Sequence, residues 1–430
     1  MLDINYIRDN PDVIKKACKD KQLDPAVVDD LLSVDLRRRE LITITDGIKK
    51  EINSNANVMK KLVTSGETSQ QKGNEQRLKL IEKGKWLKEQ LKEQGPQLKE
   101  TEEKFKELML SIPNVPADEV PVGENEEGNK VVRTEGDKPN FNFEAKAHNE
   151  LMEKLDLLDT KRGVKVAGFR AYFLKNEALL LEQAILNYAL QLMMAKGFTA
   201  MSAPAMVNKE ALIGTGFFPW GAEDHYYTQD GQGLAGTAEV AVTSYYGDEV
   251  LAEKDLPKKM VGLSPCFRRE VGTHGKDTKG IVRVHQFTKV EQVVLTVANE
   301  DETRKMHEEI LANAEELLKN LGLHYQVLMM CTGDMGAGQR KKYDIETWFP
   351  AQNKYRETHS CSYFNDFQAR RLNIKYQAKD GSTKFVYTLN NTVAASPRLL
   401  AAIVENYQNE DGSITVPEVL RKWVGKDKLS

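Results

Sequence analysis

The 430-residue chain has little cysteine, almost no charge imbalance and no long apolar run. Its four cysteines, Cys18, Cys266, Cys331 and Cys361, lie far apart and form no Cys-x-x-Cys pair, which supports neither a disulfide framework nor a zinc ribbon. Reduced thiols are expected. Lysine and arginine number 61 against 64 aspartates and glutamates, a net charge of -3, which excludes a surface that attracts nucleic acid everywhere and leaves only a local basic patch to be sought. No uninterrupted apolar stretch approaches the roughly 18 residues of a membrane span, and residues 1–21 alternate charge with scattered apolar side chains where a signal peptide would carry an apolar core. The expectation is a cytoplasmic protein with no membrane association. The Gly-x-x-x-x-Gly-Lys-Thr phosphate loop is missing and no dinucleotide loop is read, so a nucleotide has to be held by another device. With 40% apolar and 29% charged residues, a chain of this length suits two folded domains.

Residues 34–112 carry apolar side chains at spacings of three and four, in two blocks separated by the polar stretch 64–73. In the first block Val34, Leu41, Ile48 and Leu62 share one seven-residue register, and Ile52 and Met59 share another. In the second, Leu80, Leu87 and Leu108 share one register, and Gly84, Leu91, Leu98, Phe105 and Ile112 the other. Two such seams pack as an antiparallel helical hairpin, with Gly66 and Gly73 in its tip. Gly95-Pro96 is expected to interrupt and kink the second helix, because proline removes an amide donor and crowds the preceding turn. Over residues 37–110 there are 17 basic against 12 acidic residues, a net of +5 that leaves about -8 for the rest of the chain. The arm is either a solvated coiled coil or a probe for a phosphate backbone.

The stretch 112–138 is rich in Pro, Gly, Asn and Glu and reads as a linker, dividing an arm domain, 1–111, from a second domain, 139–430. In the latter, residues 175–196 are helical by their Leu and Ala spacing. Strand-type runs follow at 199–207, 259–270, 284–295, 342–349, 355–361 and 384–389. Strands with few intervening helices predict an α+β protein whose second domain is an antiparallel sheet.

The densest chemistry lies where Phe267-Arg268-Arg269-Glu270 and Val284-His285-Gln286-Phe287-Thr288-Lys289-Val290-Glu291 flank a loop containing Gly272, Gly275 and Gly280. Strand alternation puts Arg268 and Glu270 on one face and turns Arg269 away, and it groups His285, Phe287, Lys289 and Glu291. Charges alone on such a face make ordinary cross-strand pairs. With Phe287 and the glycines they suit a nucleotide: arginine clamps phosphate and carboxylate, the ring stacks on a purine, and glutamate accepts from an amine. Further on, Ser396-Pro397 is read as an N-cap and first helical position, placing Arg398 in a first turn where an anion could dock.

Pro265-Cys266-Phe267-Arg268, Asp277-Thr278-Lys279-Gly280 and Arg283-Val284-His285-Gln286-Phe287 resemble motif 2 of the class II aminoacyl-tRNA synthetases in their seryl form. Thr237-Ala238-Glu239 resembles that family's serine-loop signature. Family-typical stretches recur at Cys331-Thr332-Gly333-Asp334-Met335-Gly336, Tyr355-Arg356-Glu357, Ser360-Cys361-Ser362 and Asp366-Phe367-Gln368-Ala369-Arg370-Arg371. Thr388-Leu389-Asn390 through Arg398 to Glu405-Asn406-Tyr407-Gln408 is similar to motif 3. The opening Leu2-Asp3 with Ile7-Arg8 extends the likeness over nearly the whole chain.

The resemblance implies an N-terminal coiled-coil arm that binds tRNA(Ser), followed by a class II antiparallel-sheet catalytic domain. It also implies a homodimer that joins L-serine to ATP as seryl adenylate and passes the seryl group to tRNA, with ATP and Mg²⁺ required. Arg268 and Arg398 are the implied catalytic arginines. The implied ATP contacts are Arg268, Arg269, Glu270, Val284, Phe287, Glu357, Thr358, His359, Ser360 and Arg398. Those for serine are Thr237, Ala238, Glu239, Arg268, Glu291 and Thr392, and Glu357 with Ser360 would ligate magnesium. Glu357 and Ser360 have opposite strand parity, so shared ligation calls for a bulge or a water. Thr358-His359, Tyr363 and Asn391 depart from the family pattern and put the nucleotide side in question. A protein that delivers activated serine elsewhere, or one that only binds RNA, is the competing expectation.

Overall fold

A computed structural model describes residues 1–65, 71–272, 275, 277 and 279–430. Of the expected hairpin tip, residues 66–70, with Gly66, lie outside the described residues, as does Thr278 of the motif 2 loop. The chain divides into two compact units. One comprises Asp3–Lys16 and Asp24–Ile112, the other Met1–Leu2, Ala17–Leu23 and Pro113–Ser430.

The first unit is dominated by two long helices, Ala26–Thr64 and Gln71–Ser111, which pack along each other. The heptad seam is the reason. Leu41, Leu62 and Leu87 are buried, while Ile48, Ile52, Met59, Leu80, Leu91, Leu98 and Phe105 are partly covered. The first helix starts eight residues before the sequence pattern does. Positions where the apolar registers lapse are filled by polar side chains that satisfy themselves: Thr45 donates to the Leu41 carbonyl at 2.8 Å, and Asn55 Nδ2 donates across to the Leu80 carbonyl at 2.8 Å. Gly84 faces Asn55, where a Cβ would stand 3.1 Å from Asn55 Nδ2, so the glycine makes room for a polar pin of the kind that fixes coiled-coil register. Buried Asp35 is gripped by Arg8 at 2.7 Å and Arg38 at 3.1 Å. The expected interruption at Gly95-Pro96 does not occur, because the second helix runs continuously through Pro96.

The second unit is built on an eight-stranded sheet. In chain order its strands are β1 (Lys130–Glu135), β2 (Thr199–Ser202), β3 (Lys258–Phe267), β4 (Gln286–Thr296), β5 (Tyr325–Met329), β6 (Lys341–Phe349), β7 (Lys354–Asn365) and β8 (Tyr387–Ala395). They lie in the order β1-β5-β6-β7-β8-β4-β3-β2, antiparallel throughout except for the parallel β2–β3 pair. The expected α+β architecture is present, with additions. Strand β1 falls within residues 112–138, which are therefore not a free tether, and Asn114, Ala117 and Val120 in that stretch are buried.

Three helices back one sheet face: Asn176–Ala195, Glu300–Asn320 and Ser396–Asn406. The first is long and apolar enough to cross a membrane by composition, yet Leu181, Ala184, Ile185, Ala189 and Met193 are core residues. The second was hidden by its many charges. Asn299 caps it by accepting from the Asp301 and Glu302 amides, and it docks through buried polar groups, with Gln292 and Asn391 both donating to the Ile310 carbonyl. The third begins at Ser396 with Ala395 in the cap position, so Ser396 is not the N-cap; its hydroxyl receives the Thr288 amide at 3.4 Å. Leu400, Ile403 and Val404 form the buried stripe that anchors it.

Candidate active site

The sheet face opposite these helices opens into a cavity of about 360 Å³. Alternation selects its floor: Phe287, Lys289 and Glu291 of β4 point into it, while Val290, Gln292 and Val294 face the helices. Strand β3 ends at Phe267, earlier than its apolar pattern suggested, so Arg268 and Glu270 project from the loop that follows. The Arg268 amide still pairs with the His285 carbonyl at 3.0 Å; its Nε donates to the Gly236 carbonyl at 3.3 Å and its guanidinium lies 5.3 Å from the Phe287 ring centre. Glu270 takes a left-handed backbone (φ 56°), which turns its carboxylate inward to Arg283 at 2.7 Å and Arg170 at 3.8 Å. Val284 closes the same wall.

At the other end stand Thr237, Glu239, Glu291, Asn390 and Thr392. Lys289 Nζ lies 2.6 Å from Glu291, whose other neighbour is the Thr392 hydroxyl, donating at 3.1 Å. The Thr237 hydroxyl receives the Glu239 amide at 3.2 Å, and Gln368 Nε2 donates to the Glu239 carboxylate at 2.8 Å. Burial, aided by the nearby Glu291 charge and opposed by Gln368 and Lys289, pushes the Glu239 carboxyl up to about 7. Two buried carboxylates beside two hydroxyls favour a small ligand that carries an ammonium and a hydroxyl.

Strand β7 settles the parity question. Ile345 pairs with His359 but Glu346 pairs with Glu357, leaving Thr358 as a bulge. The extra residue brings Glu357 and Ser360 onto the cavity face together. A second bulge, at Val393 of β8, does the same for Thr392 and Ala395. Burial opposes ionisation of Glu357, but Arg398, Lys342 and Arg268 outweigh it and hold the carboxyl well below its usual range. Arg398 reaches the cavity by donating from Nη1 to the Glu357 carbonyl at 2.7 Å and from Nε to the Val282 carbonyl at 3.2 Å.

Some expected contacts are not brought together. Arg269 lies outside the cavity, donating from Nη1 to the Glu223 carbonyl at 2.9 Å; it turns away as expected, although it stands in the loop after β3 and not in the strand. Ala238 contributes its side chain to the core against Gly262, not to the cavity. His359 is buried behind the strand: Nε2–H donates to the Val393 carbonyl at 3.0 Å, so Nδ1 accepts from the Thr358 hydroxyl at 2.9 Å. Thr358 touches the cavity, but its hydroxyl is committed to His359 and to Thr347 at 2.8 Å. His285 precedes β4, leaves the Phe287 face, and bonds the Arg268 carbonyl through Nδ1 at 2.9 Å. Tyr363 and Asn391, the other departures from the family pattern, face the helix Glu300–Asn320 and leave the nucleotide side untouched.

The cavity adds Lys289, Arg283, Lys342, Gln339, Ser362 and Asn390 to the expected set. Alternation from Phe287 to Glu291 pointed to Lys289, and alternation from Ser360 pointed to Ser362; Lys342 could be found only once β6 and β7 were paired. A Gly-x-Gly-x-x-Gly spacing does occur, at Gly231, Gly233 and Gly236. Its middle glycine sits inside a strand of a small antiparallel sheet (Met206–Val207, Tyr226–Tyr227, Gly233–Leu234), and the helix that follows, Glu239–Ser244, is only six residues long, so this is not the parallel βαβ unit that binds a dinucleotide.

An antiparallel sheet with arginines from the β3–β4 hairpin and from the helix after β8 defines a class II aminoacyl-tRNA synthetase core, and residues 226–407 match the tRNA synthetase class II core domain (G, H, P, S and T). Residues 1–116 match the seryl-tRNA synthetase N-terminal domain. The serine–tRNA ligase of Deinococcus radiodurans is 44% identical, covering 99% of this chain and 98% of its own. The crystal structure of seryl-tRNA synthetase from Pyrococcus horikoshii complexed with ATP superimposes with a TM-score of 0.90 at 36% identity, over 100% of this chain and 99% of that one. Cytoplasmic serine-tRNA ligase from Naegleria fowleri in complex with AMP gives 0.86 at 31%, with the same coverage. The chain belongs to the seryl-tRNA synthetase family.

Proposed function

We propose that this protein activates L-serine with ATP and esterifies tRNA(Ser) with the product. The observation that carries the reading is the cavity's division of labour: arginines and an aromatic ring at one end, buried carboxylates with hydroxyls at the other. Phe287 stacks on adenine, Glu270 accepts from its amine beside Val284, and Arg268 bridges the α-phosphate and the serine carboxylate. Arg398 neutralises the outer phosphates. Glu239 and Glu291 with Thr237 take the ammonium, and Glu291 with Thr392 receives the hydroxyl. The serine carboxylate attacks the α-phosphorus and pyrophosphate leaves. A terminal ribose hydroxyl of tRNA then attacks the adenylate carbonyl and AMP leaves. No protein nucleophile is needed, because positioning and charge stabilisation suffice.

Among the described residues no group of three or more His, Cys, Asp or Glu could hold a metal by itself. Glu357 and Ser360, on one face and with the carboxylate held ionised, fit a hard cation that takes its other ligands from phosphate oxygens and water, as Mg²⁺ does. When bound it would neutralise triphosphate charge.

The arm domain, 1–111, would reach along tRNA; at about 1.5 Å per residue its 39-residue helix extends roughly 58 Å. Residues 112–138 would join it to the catalytic domain, 139–430. The enzyme would work in the cytoplasm as a homodimer. Exposed Val164, Val166, Phe169, Phe173, Leu179 and Leu180 supply an apolar surface for a second copy. Sedimentation giving only a 48.6 kDa species at micromolar concentration would contradict the dimer. The function is tested by serine-dependent exchange of pyrophosphate into ATP followed by tRNA charging. Exchange without charging would leave delivery to another acceptor, and neither would leave RNA binding alone.

A further inference from the structure

Lys21 follows the helix Pro11–Asp20, at a turn where Gln22 takes a left-handed backbone (φ 58°), and is 7% exposed. Its ammonium stands 2.9 Å from the Ala337 carbonyl, 3.3 Å from that of Gly336 and 2.5 Å from that of Gln339. An ammonium has three donors, and these oxygens use all of them.

The loop so held lines the amino-acid end of the cavity. Gly336, Gln339 and Ser362 all face it. Gln339 is the link: its Oε1 accepts from the Gly336 amide at 2.6 Å while its Nε2 donates to the Ser362 hydroxyl at 2.8 Å. Ser362 pairs across β7–β8 with Asn390, two residues before Thr392 on the same face. From the opposite side Asn114 donates from its amide to the Ala337 carbonyl at 2.9 Å and from Nδ2 to the Gly338 carbonyl at 3.1 Å. The loop's carbonyls are thus held by two residues, Lys21 through its side chain and Asn114 through backbone amide and side chain, neither of which lines the cavity.

We propose that Lys21 is a positioning residue for serine recognition, acting through the loop Gly336 to Gln339 to fix the amide of Gln339 and the hydroxyl of Ser362. This rests on the serine-activating function above. A buried cation is a costly way to fill space, and burial, with the Arg340 charge adding to it, lowers the Lys21 pKa to about 7. Methionine would fill the same volume without that cost. What methionine cannot do is donate: the Gly336 and Ala337 carbonyls would keep only the Gln339 and Asn114 amides, and the Gln339 carbonyl would lose its ammonium donor, which would pull that end of the loop towards water.

The test uses Lys21→Met in the full-length enzyme, with pyrophosphate exchange measured against serine at saturating ATP and against ATP at saturating serine. Loss of hydrogen bonds to a charged group predicts a rise of about tenfold or more in the serine KM, with the ATP KM within about twofold of the parent. Gln339→Ala should raise the serine KM similarly, and the double variant should be no worse than Gln339→Ala alone, because both act on one element. Lys21→Gln, which keeps two donors, should fall between parent and Lys21→Met, and it carries the test if Lys21→Met does not fold. Serine and ATP constants that rise together, an unchanged serine KM in a folded variant, or additive effects in the double variant would overturn the proposal. A parent enzyme without serine-dependent exchange would instead overturn the function on which it rests.

Discussion

Arg398 holds Glu357 at two points, donating from Nη1 to its backbone carbonyl at 2.7 Å and standing 3.2 Å from its carboxylate. The arginine comes from the first turn of the helix after β8 and the glutamate from β7, so one contact joins the phosphate end of the cavity to the candidate cation ligand. It is also a main reason why Glu357 stays charged although burial opposes it.

Replacing Arg398 by Met should therefore do two things. Adenylate formation should fall by about 10² for loss of a phosphate contact. The magnesium concentration for half-maximal exchange should also shift, since Arg398 stands 3.2 Å from the carboxylate that the cation would use. Unchanged magnesium dependence would show that Arg398 does not act through Glu357.

Arg268→Ala should lower pyrophosphate exchange by about 10³ or more without moving the thermal midpoint, because its guanidinium meets the cavity and not the core. Near-normal exchange would remove Arg268 from the reaction.

Glu239 predicts a pH signature. Its carboxyl is raised from 4.5 to about 7 in the folded protein, so the native state binds the proton more tightly than the unfolded chain. That stability is fully present below about pH 4.5 and is lost as pH rises through about 7. At pH 8 the ionised group burdens the fold, and Glu239→Gln should be more stable than the parent by on the order of 2 kcal/mol. The same variant should bind serine poorly, and the parent's serine KM should improve as pH rises through 7. Denaturant midpoints at pH 5 and pH 8 and serine titrations across that range check both signs.

Serine should be selected by its hydroxyl, because Glu291 and Thr392, already paired at 3.1 Å, form a site for one. A site built to bond a hydroxyl rejects its absence by roughly 10⁴. Alanine activated nearly as well as serine in pyrophosphate exchange would refute this.

Deleting residues 37–110 and joining the ends with a short flexible linker removes a hairpin with its own apolar seam. The truncated enzyme should still exchange pyrophosphate but charge tRNA poorly. Affinity of the intact enzyme for tRNA should fall steeply with salt, and the slope should flatten on deletion, since phosphate contacts release counterions. Equal charging by both forms would make the arm a spacer.

Sequence by itself determined whatever rests on local periodicity. Heptads at Leu41, Leu62, Leu87 and Leu98 defined the arm, because a helix repeats its neighbours every few residues. Alternation through Phe287, Lys289 and Glu291 assigned one strand face, because a strand repeats every two. Even there the boundaries slipped: Ser396 proved to be helical, and β3 stopped before Arg268. The helix Glu300–Asn320 escaped notice because its contacts with the sheet are partly polar, through Gln292, Asn391 and His307.

Tertiary structure alone decided which side chains converge. The bulge at Thr358 is invisible to a period-two argument, yet it puts Ser360 beside Glu357 and turns His359 into a strut. Ala238 carries a family signature, but packing against Gly262 draws it into the core. Lys21 reaches carbonyls more than 300 positions away, at Gly336, Ala337 and Gln339. No local pattern encodes such a pairing, because a buried ammonium selects partners by the geometry of oxygens around it, and that geometry exists only after the chain has closed.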